Sequence, residues 1–246
     1  MKEFITGRNP VFEVLHARRR HVFQLRIASG VQRKGRMEDI LELARKVKLP
    51  VVEVERRQLD QHGDNHQGVV LETSQYPYCH LKDIIERAEK RSEPLFILIL
   101  DIIQNPQNFG TLLRTAETVG VHGTIIPTKR ATGVTPAVVH ASAGATEHMR
   151  IVQANLAQVI ELIKKENAWI IGLEGSDETQ PIEQTRLDGP LAIVVGSEGE
   201  GLRPLVRKSC DVLARLNMRG KVGSMNASVA GSIALYLAMQ QRIAKK

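Results

Sequence analysis

Three short segments of this 246-residue chain hold residue types that could do chemistry. In the most distinctive, LAIVVGSEGEGLRP at 191–204, an apolar run ends at Gly196 and two more glycines follow at 199 and 201. Loops of that kind usually hold a phosphate through backbone N–H groups, often with a lysine. This one has no lysine and carries Glu198 and Glu200, which repel phosphate. Its order is G-x-x-G-x-G, and neither G-x-G-x-x-G nor G-x-x-x-x-G-K-[ST] occurs, which argues against dinucleotides and nucleoside triphosphates. Acceptors at a strand end suit a cation, or a ligand rich in hydroxyls and amines. Among common cofactors S-adenosylmethionine fits, with a sulfonium, an amine, a ribose diol and no phosphate. A plain glycine turn, with both glutamates favouring the N-terminus of the next helix, would use the same residues.

The segment DIIQNPQNFGTLLRTAETVG at 101–120 places Asn108 as the expected cap of a helix with Leu112, Leu113, Ala116 and Val119 on its apolar face. Thr111, Arg114, Thr115 and Thr118 form the opposite stripe, where Arg114 is the one cation. A guanidinium there could grip a phosphate in a bidentate way, or simply face solvent. In LNMRGKVGSMNASVAGSIALYLA at 216–238 a strand ends near Leu216, and Ser224 or Asn226 can cap the last helix. That helix carries Ala227, Gly231, Ala234 and Ala238 on one stripe. Glycine inside a helix costs roughly 1 kcal/mol relative to alanine. Its presence points to close packing, against a helix of the same chain or a second subunit.

The elements that must position these loops divide at a polar stretch. Residues 1–75 alternate helix and strand patterns (VFEVLHA, FQLRIAS, RMEDILELARKV, PVVEVE, RRQLDQH, GVVLET) and read as a small α/β domain. Asn9-Pro10 is the expected start of its first helix. Residues 76–93 read as a helix-prone linker. From 94 to 246, β-branched runs (LFILILDII, GTIIP, AWIIGLEG, LAIVVG, DVLARLN) alternate with helical segments, which argues for a parallel sheet covered on both faces. Ligands of such sheets gather beyond the carboxyl ends of the strands.

Composition narrows the function classes. A net charge of +7 favours a polyanionic partner, while 4% aromatic residues argue against a surface of stacked bases. Arg18, Arg19 and Arg20, with Arg33, Lys34 and Arg36, form two basic clusters in the first domain, either an RNA-backbone grip or two solvated loops. Cys79 and Cys210 have neither disulfide-framework nor zinc-site spacing, so no metal is expected. The N-terminus lacks a signal-peptide core, and the LFILIL run is too short for a bilayer. The expectation is a cytoplasmic protein without a membrane partner.

Together the three loops resemble the SpoU (TrmH-type) branch of the SPOUT RNA methyltransferases. The resemblance rests on Asn-Pro-x-Asn-x-Gly-x-x-x-Arg-Thr-Ala at 105–116, Gly-Ser-Glu-Gly-x-Gly-Leu at 196–202 and Ser-x-Asn-x-Ser-x-Ala at 224–230. GRNPVFEVL and HQGVVLE extend it over the first domain, and with that domain it is nearest the family's 23S rRNA guanosine 2′-O-methyltransferases. The resemblance implies a deep C-terminal trefoil knot, S-adenosylmethionine as cofactor, a homodimer, and 23S rRNA or a pre-ribosomal large-subunit particle as partner. It implies Arg114, Asn108, Glu198, Ser224 and Asn226 as catalytic or site-forming residues, and Val195, Gly196, Gly201, Leu216, Met218 and Met225 as cofactor contacts. Where relatives commonly read Ile-Pro-Met, this chain has Leu216-Asn217-Met218. Another RNA target, a tRNA or an antibiotic-resistance site, is the alternative within the class. A catalytically silent RNA-binding assembly factor is the alternative outside it.

Overall fold

The computed structural model describes residues 2–63, 65–129, 132–176 and 178–244. They form two compact units, Met1–Pro77 with Gly133–His148, and Tyr78–Thr132 with Met149–Lys246. Residues 133–148, assigned to the second domain from sequence, thus group with the first.

In the first unit β1 (Lys2–Thr6), α1 (Arg8–Ala17), β2 (Val22–Ala28), α2 (Arg36–Lys46), β3 (Val51–Val54), α3 (Arg56–Asp60) and β4 (Val69–Ser74) follow in chain order. The sheet order is β1-β4-β2-β3, with β4 antiparallel to both neighbours and β2 parallel to β3. Strand β1 escapes a pattern search because a single fully buried side chain, Ile5, marks its inner face. Helix α1 starts at Arg8 after Gly7, so Asn9 lies inside the first turn and does not cap it. Segment 133–148 adds a short helix, Pro136–Ala141, capped by the Thr135 hydroxyl, and a 3₁₀ turn at Ala145–His148.

The second unit contains α4 (Leu81–Arg91), β5 (Phe96–Leu100), α5 (Pro106–Thr118), β6 (Gly123–Pro127), β7 (Ile151–Ala154), α7 (Leu156–Lys165), β8 (Trp169–Leu173), β9 (Gln180–Pro181), β10 (Leu191–Val195), α8 (Pro204–Ser209), β11 (Val212–Arg215) and α9 (Ala227–Ala244), where α6 is the Pro136–Ala141 helix of the first unit. Its seven strands lie in the order β7-β6-β5-β10-β8-β11-β9, and every pairing is parallel. Alternate side chains serve opposite faces. Ile97, Ile99, Ala192 and Val194 join Ile84 and Ala88 of α4 and Val159, Ile160 and Ile163 of α7 in one core. The stretch expected as a linker therefore contains α4, whose apolar stripe is part of that core.

The other face takes α5 and α9. A Cβ on Gly231 would stand 2.6 Å from Leu112 Cδ2 and 3.0 Å from Val195 Cγ2, so the small-residue stripe of α9 lets it press on α5 and β10 of its own chain. Thr115 Oγ1 and Ser232 Oγ, 2.9 Å apart, join the two helices. From β5 the chain proceeds outward through β6 and β7, and its return passes to β8, β10 and β11 on the opposite side. The order therefore reverses between β5 and β10, where open parallel sheets bind ligands.

Candidate active site

At that reversal Asp101 follows β5 and Gly196 follows β10. Asp101 is fully buried; its carboxylate accepts from Arg203 N at 2.8 Å and Arg203 Nε at 2.7 Å. This pair anchors the far end of the glycine loop to the base of β5. Between the anchors, Ser197 and Gly201 exchange two backbone hydrogen bonds of 3.1 Å, and the loop folds back over the buried Gly196. A Cβ at 196 would lie 2.7 Å from Leu202 N and nearer still to the Gly201 carbonyl, so no side chain fits there.

Asn105, rather than Asn108, caps α5. Its Oδ1 accepts from Gln107 N at 2.8 Å, and Pro106 occupies the first helical position. Asn108, one residue short of a turn further on, is thereby left for other bonds. Its Nδ2 donates to Glu198 Oε1 at 3.0 Å, and its Oδ1 faces Asn226 Nδ2 and Ser228 Oγ, each at 3.2 Å. Asn226 caps α9: its Oδ1 accepts from Ser228 N at 2.9 Å and Val229 N at 3.2 Å. With the oxygen so used, the amide nitrogen turns to Glu198 Oε1. Ser228 Oγ also lies 2.6 Å from Asn226 Oδ1; its one proton serves one of the two amide oxygens at a time. Three segments far apart in sequence thus meet in one polar network, Asn108–Glu198–Asn226–Ser228.

Beside the network a cavity of about 730 Å³ opens at the ends of β8, β10 and β11. Val195, Gly196, Gly201, Leu216, Met218 and Met225, all singled out from sequence as cofactor contacts, line it, as do Glu198, Ser224 and Asn226. Leu173, Val195, Leu202, Leu216 and Met218 make apolar walls; Glu198, Glu200 and loop backbone supply acceptors. The volume falls within the ~300–1,000 Å³ usual for small-molecule sites. The lining suits a cationic nucleoside: among the described residues no lysine lines the cavity, and of its two arginines Arg207 is bound to Glu174 at 2.7 and 3.0 Å while Arg215 ends β11. Asn217 donates to Glu183 Oε2 at 3.3 Å, which ties down the loop after β11.

Arg114 lies outside this lining, on the exposed side of α5 two turns from Gln107, and has no hydrogen-bonded or ionic side-chain partner among the described residues. Sequence reasoning did not name Asp101, Arg203 or Ser228 as site residues, although Ser228 stands in the 224–230 motif and Asp101 directly follows the apolar run LFILIL.

The six basic residues singled out in the first unit separate sharply. Arg20 is removed from the candidate RNA surface: its buried guanidinium meets Glu147 at 2.8 and 2.9 Å and Glu3 at 2.6 Å. Arg19 is half-buried and donates to the Tyr76 hydroxyl and to the Glu147 and Pro77 carbonyls. Arg18, Arg33, Lys34 and Arg36 are exposed, though Arg33 pairs with Glu53 at 2.8 Å and Arg36 stacks on Phe12 at 4.0 Å.

Residues 95–236 match the SpoU rRNA Methylase family, and residues 4–79 match a model described as RNA 2′-O ribose methyltransferase substrate binding. The chain is 39% identical to the putative TrmH family tRNA/rRNA methyltransferase YacO of Bacillus subtilis, over 98% of this chain and 96% of that protein. It is 36% identical to the 23S rRNA (guanosine-2′-O-)-methyltransferase RlmB of Pseudomonas putida, over 99% and 98%. In fold it is similar to the crystal structure of the SpoU methyltransferase AviRb from Streptomyces viridochromogenes in complex with AdoMet, with a TM-score of 0.82, 22% identity, and coverage of 99% of this chain and 91% of that one.

Proposed function

The chain belongs to the SpoU family of S-adenosylmethionine-dependent RNA 2′-O-ribose methyltransferases, and from that premise we propose that it methylates a guanosine of 23S rRNA in the peptidyl-transferase region. The observation that carries the reaction is the cavity bordered by the Asn108–Glu198–Asn226 network. The full-length similarity to RlmB-named proteins supports the guanosine of 23S rRNA as target.

When bound, the cofactor supplies an electrophilic methyl group on a sulfonium sulfur. The ribose 2′-oxygen would take that methyl group, with neutral S-adenosylhomocysteine leaving and the hydroxyl proton passing to solvent water. Backbone groups of 196–201 and 216–225 would hold the cofactor against the apolar walls, and so fix the line of attack; such positioning supplies much of the rate. Glu198, with Oε1 held by two amides, keeps Oε2 for a ribose hydroxyl. Arg114 offers a planar guanidinium fork of N–H donors and no acceptor. It acts as a clamp on the adjacent phosphate and stabilises negative charge on the oxygen, rather than as a base. Ser224 sits on the cavity rim and orients the ribose.

Exposed residues Val229, Ile233 and Tyr236 run at i, i+4, i+7 along α9, and we assign this apolar stripe to a second copy of the chain, giving a cytoplasmic homodimer. The passage from β11 back to α9 against α5 and β10 agrees with the trefoil knot. The first unit would carry the RNA grip through Arg18, Arg33, Lys34 and Arg36, with 23S rRNA or a pre-ribosomal large-subunit particle as its partner.

The test is methyl transfer from labelled S-adenosylmethionine to 23S rRNA lacking the modification, with the label mapped by nuclease digestion and mass spectrometry. One 2′-O-methylguanosine in the peptidyl-transferase loop is expected. Label in tRNA alone would overturn the target, cofactor binding without transfer to naked 23S rRNA would move it to tRNA or an assembling particle, and the absence of both label and binding would overturn the reaction. Arg114→Ala should retain cofactor affinity and lose most of the transfer; near wild-type turnover would refute the clamp.

A further inference from the structure

One cluster of titratable side chains has no part in methyl transfer. Glu13 and His16 lie on α1, and His148 ends the 3₁₀ turn of segment 145–148, all in the first unit. Among the described residues these three alone bring at least three His, Cys, Asp or Glu donor atoms together, all within 4.8 Å of one another. We propose that Glu13, His16 and His148 form a binding site for a divalent transition metal, with zinc the natural occupant.

The donor set is two imidazole nitrogens and one carboxylate oxygen, a combination that suits zinc and leaves a fourth position for water. The distances favour a shared centre. Glu13 Oε2 lies 2.7 Å from His148 Nε2 and 3.7 Å from His16 Nδ1. Ligands ~2.0–2.1 Å from a tetrahedral ion stand about 3.3 Å apart, between these two values. A single carboxylate oxygen thus already faces both rings, and all three donor atoms lie within 4.8 Å of one another, close enough for side-chain rotation to gather them about an ion. Metal entry replaces the Glu13–His148 hydrogen bond: Nε2 presents its lone pair and the ring's remaining proton resides on Nδ1.

The surrounding structure holds the carboxylate in place. Gly144 adopts φ +90, and a Cβ there would lie 2.7 Å from Glu13 Cβ and 2.8 Å from Glu13 Cγ. The side chain of Glu13 therefore runs against bare backbone, which limits its freedom and aims its carboxylate at the two rings. His16 packs beside Phe12, with centroids 5.5 Å apart, and its side chain keeps 60% exposure, which gives an ion an entry path from solvent. The ligands come from positions 13, 16 and 148, so no local spacing in the sequence announces them. A bound ion would clamp the 3₁₀ turn, and with it the segment joining β6 to β7, onto α1.

The experiment uses the full chain, stripped with a chelator and titrated with Zn²⁺ by calorimetry, with Co²⁺ absorbance as a second probe. One equivalent with a tetrahedral Co²⁺ spectrum is expected, together with a rise in Tm on adding Zn²⁺. His16→Ala should lower the affinity at least about tenfold and abolish the Tm rise, while its metal-free Tm stays at the wild-type value because His16 is exposed. Glu13→Gln, which keeps the side chain's shape, should weaken binding in the same way. Zn²⁺ binding of equal affinity and stoichiometry in wild type and His16→Ala would overturn the assignment, as would the absence of saturable binding to wild type. Neither readout depends on methyl transfer.

Discussion

Replacing Gly196 by alanine tests whether the glycine loop is shaped by close packing or is only a flexible turn. The added Cβ would stand 2.7 Å from Leu202 N and closer to the Gly201 carbonyl, all of it backbone with no rotamer to change. Ordinary contact begins near ~3.4 Å, so the loop must move by roughly 0.7 Å or more, a distortion of the kind that costs about 1–3 kcal/mol in packed cores. The loop cannot swing aside freely, because Asp101 holds Arg203 through both backbone N and Nε. The strain falls instead on the paired Ser197–Gly201 hydrogen bonds, worth about 1 kcal/mol each. A net loss of about 2–4 kcal/mol is expected, or roughly 5–15 °C in Tm for a chain of this size. Because Gly196 lines the cavity, S-adenosylmethionine affinity measured by calorimetry should fall at least about tenfold, or 1.4 kcal/mol. Gly199→Asn is the control: Gly199 has φ +86 and open space around its Cβ position, and asparagine tolerates that backbone. Gly196→Ala with unchanged Tm and affinity would show that the loop is not packed over Gly196, and the packing explanation of that glycine would fail.

Other expectations follow from the same geometry. Glu147→Gln removes the charge opposite the buried Arg20 guanidinium and should destabilise the first unit by about 3–5 kcal/mol in urea unfolding; a loss below about 1 kcal/mol would refute the pair's structural role. Ser228→Ala keeps the cap bonds of Asn226 but removes the hydroxyl between Asn226 and Asn108; turnover should fall roughly fivefold (about 1 kcal/mol) with cofactor affinity unchanged. Burial holds the His122 imidazole below its ordinary pKa, outweighing the raising effect of Glu93, and its Nδ1 accepts from Phe96 N at 3.0 Å. A histidine with a lowered folded-state pKa contributes stability above its unfolded value, ~6.5, and loses it as pH falls through the folded one. Tm should therefore drop between pH 7 and 5, and His122→Asn should flatten that slope; part remains, because His62 is lowered too, chiefly by burial.

What could be read from the sequence was set by how far apart the deciding contacts lie. Val195, Gly196, Gly201, Leu216, Met218 and Met225, expected as cofactor contacts from the family resemblance, line one cavity; the ends of β10 and β11, visible as breaks in apolar runs, account for Val195, Gly196 and Leu216. The same local logic misplaced the α5 cap: Asn105 and Asn108 are equally good capping types, and the choice fell to Asn105 because Pro106 is pre-set for the first helical turn. Strands β7 and β9, of four and two residues, are too short to show a period and exist through their partners β6 and β11.

The arginines at 18, 19 and 20 make the limit sharpest. They are one residue type in a row, and composition alone makes them a single basic patch. Past the end of α1 each points differently: Arg18 takes the left-handed cap position and faces solvent, and Arg19 spends its donors on the Tyr76 hydroxyl and two carbonyls. Arg20 turns inward to Glu147, 127 positions along the chain. A buried guanidinium is tolerable only with a carboxylate in bidentate contact, so the role of Arg20 was decided by a residue in a segment that sequence division assigns elsewhere. The Asn108–Glu198 bond spans 90 positions, yet the family resemblance already puts both residues in one site, and their segments follow the neighbouring strands β5 and β10 of one parallel sheet. Long-range contacts are thus legible where a repeating architecture brings their elements to a known edge, and illegible where a single irregular segment supplies the partner.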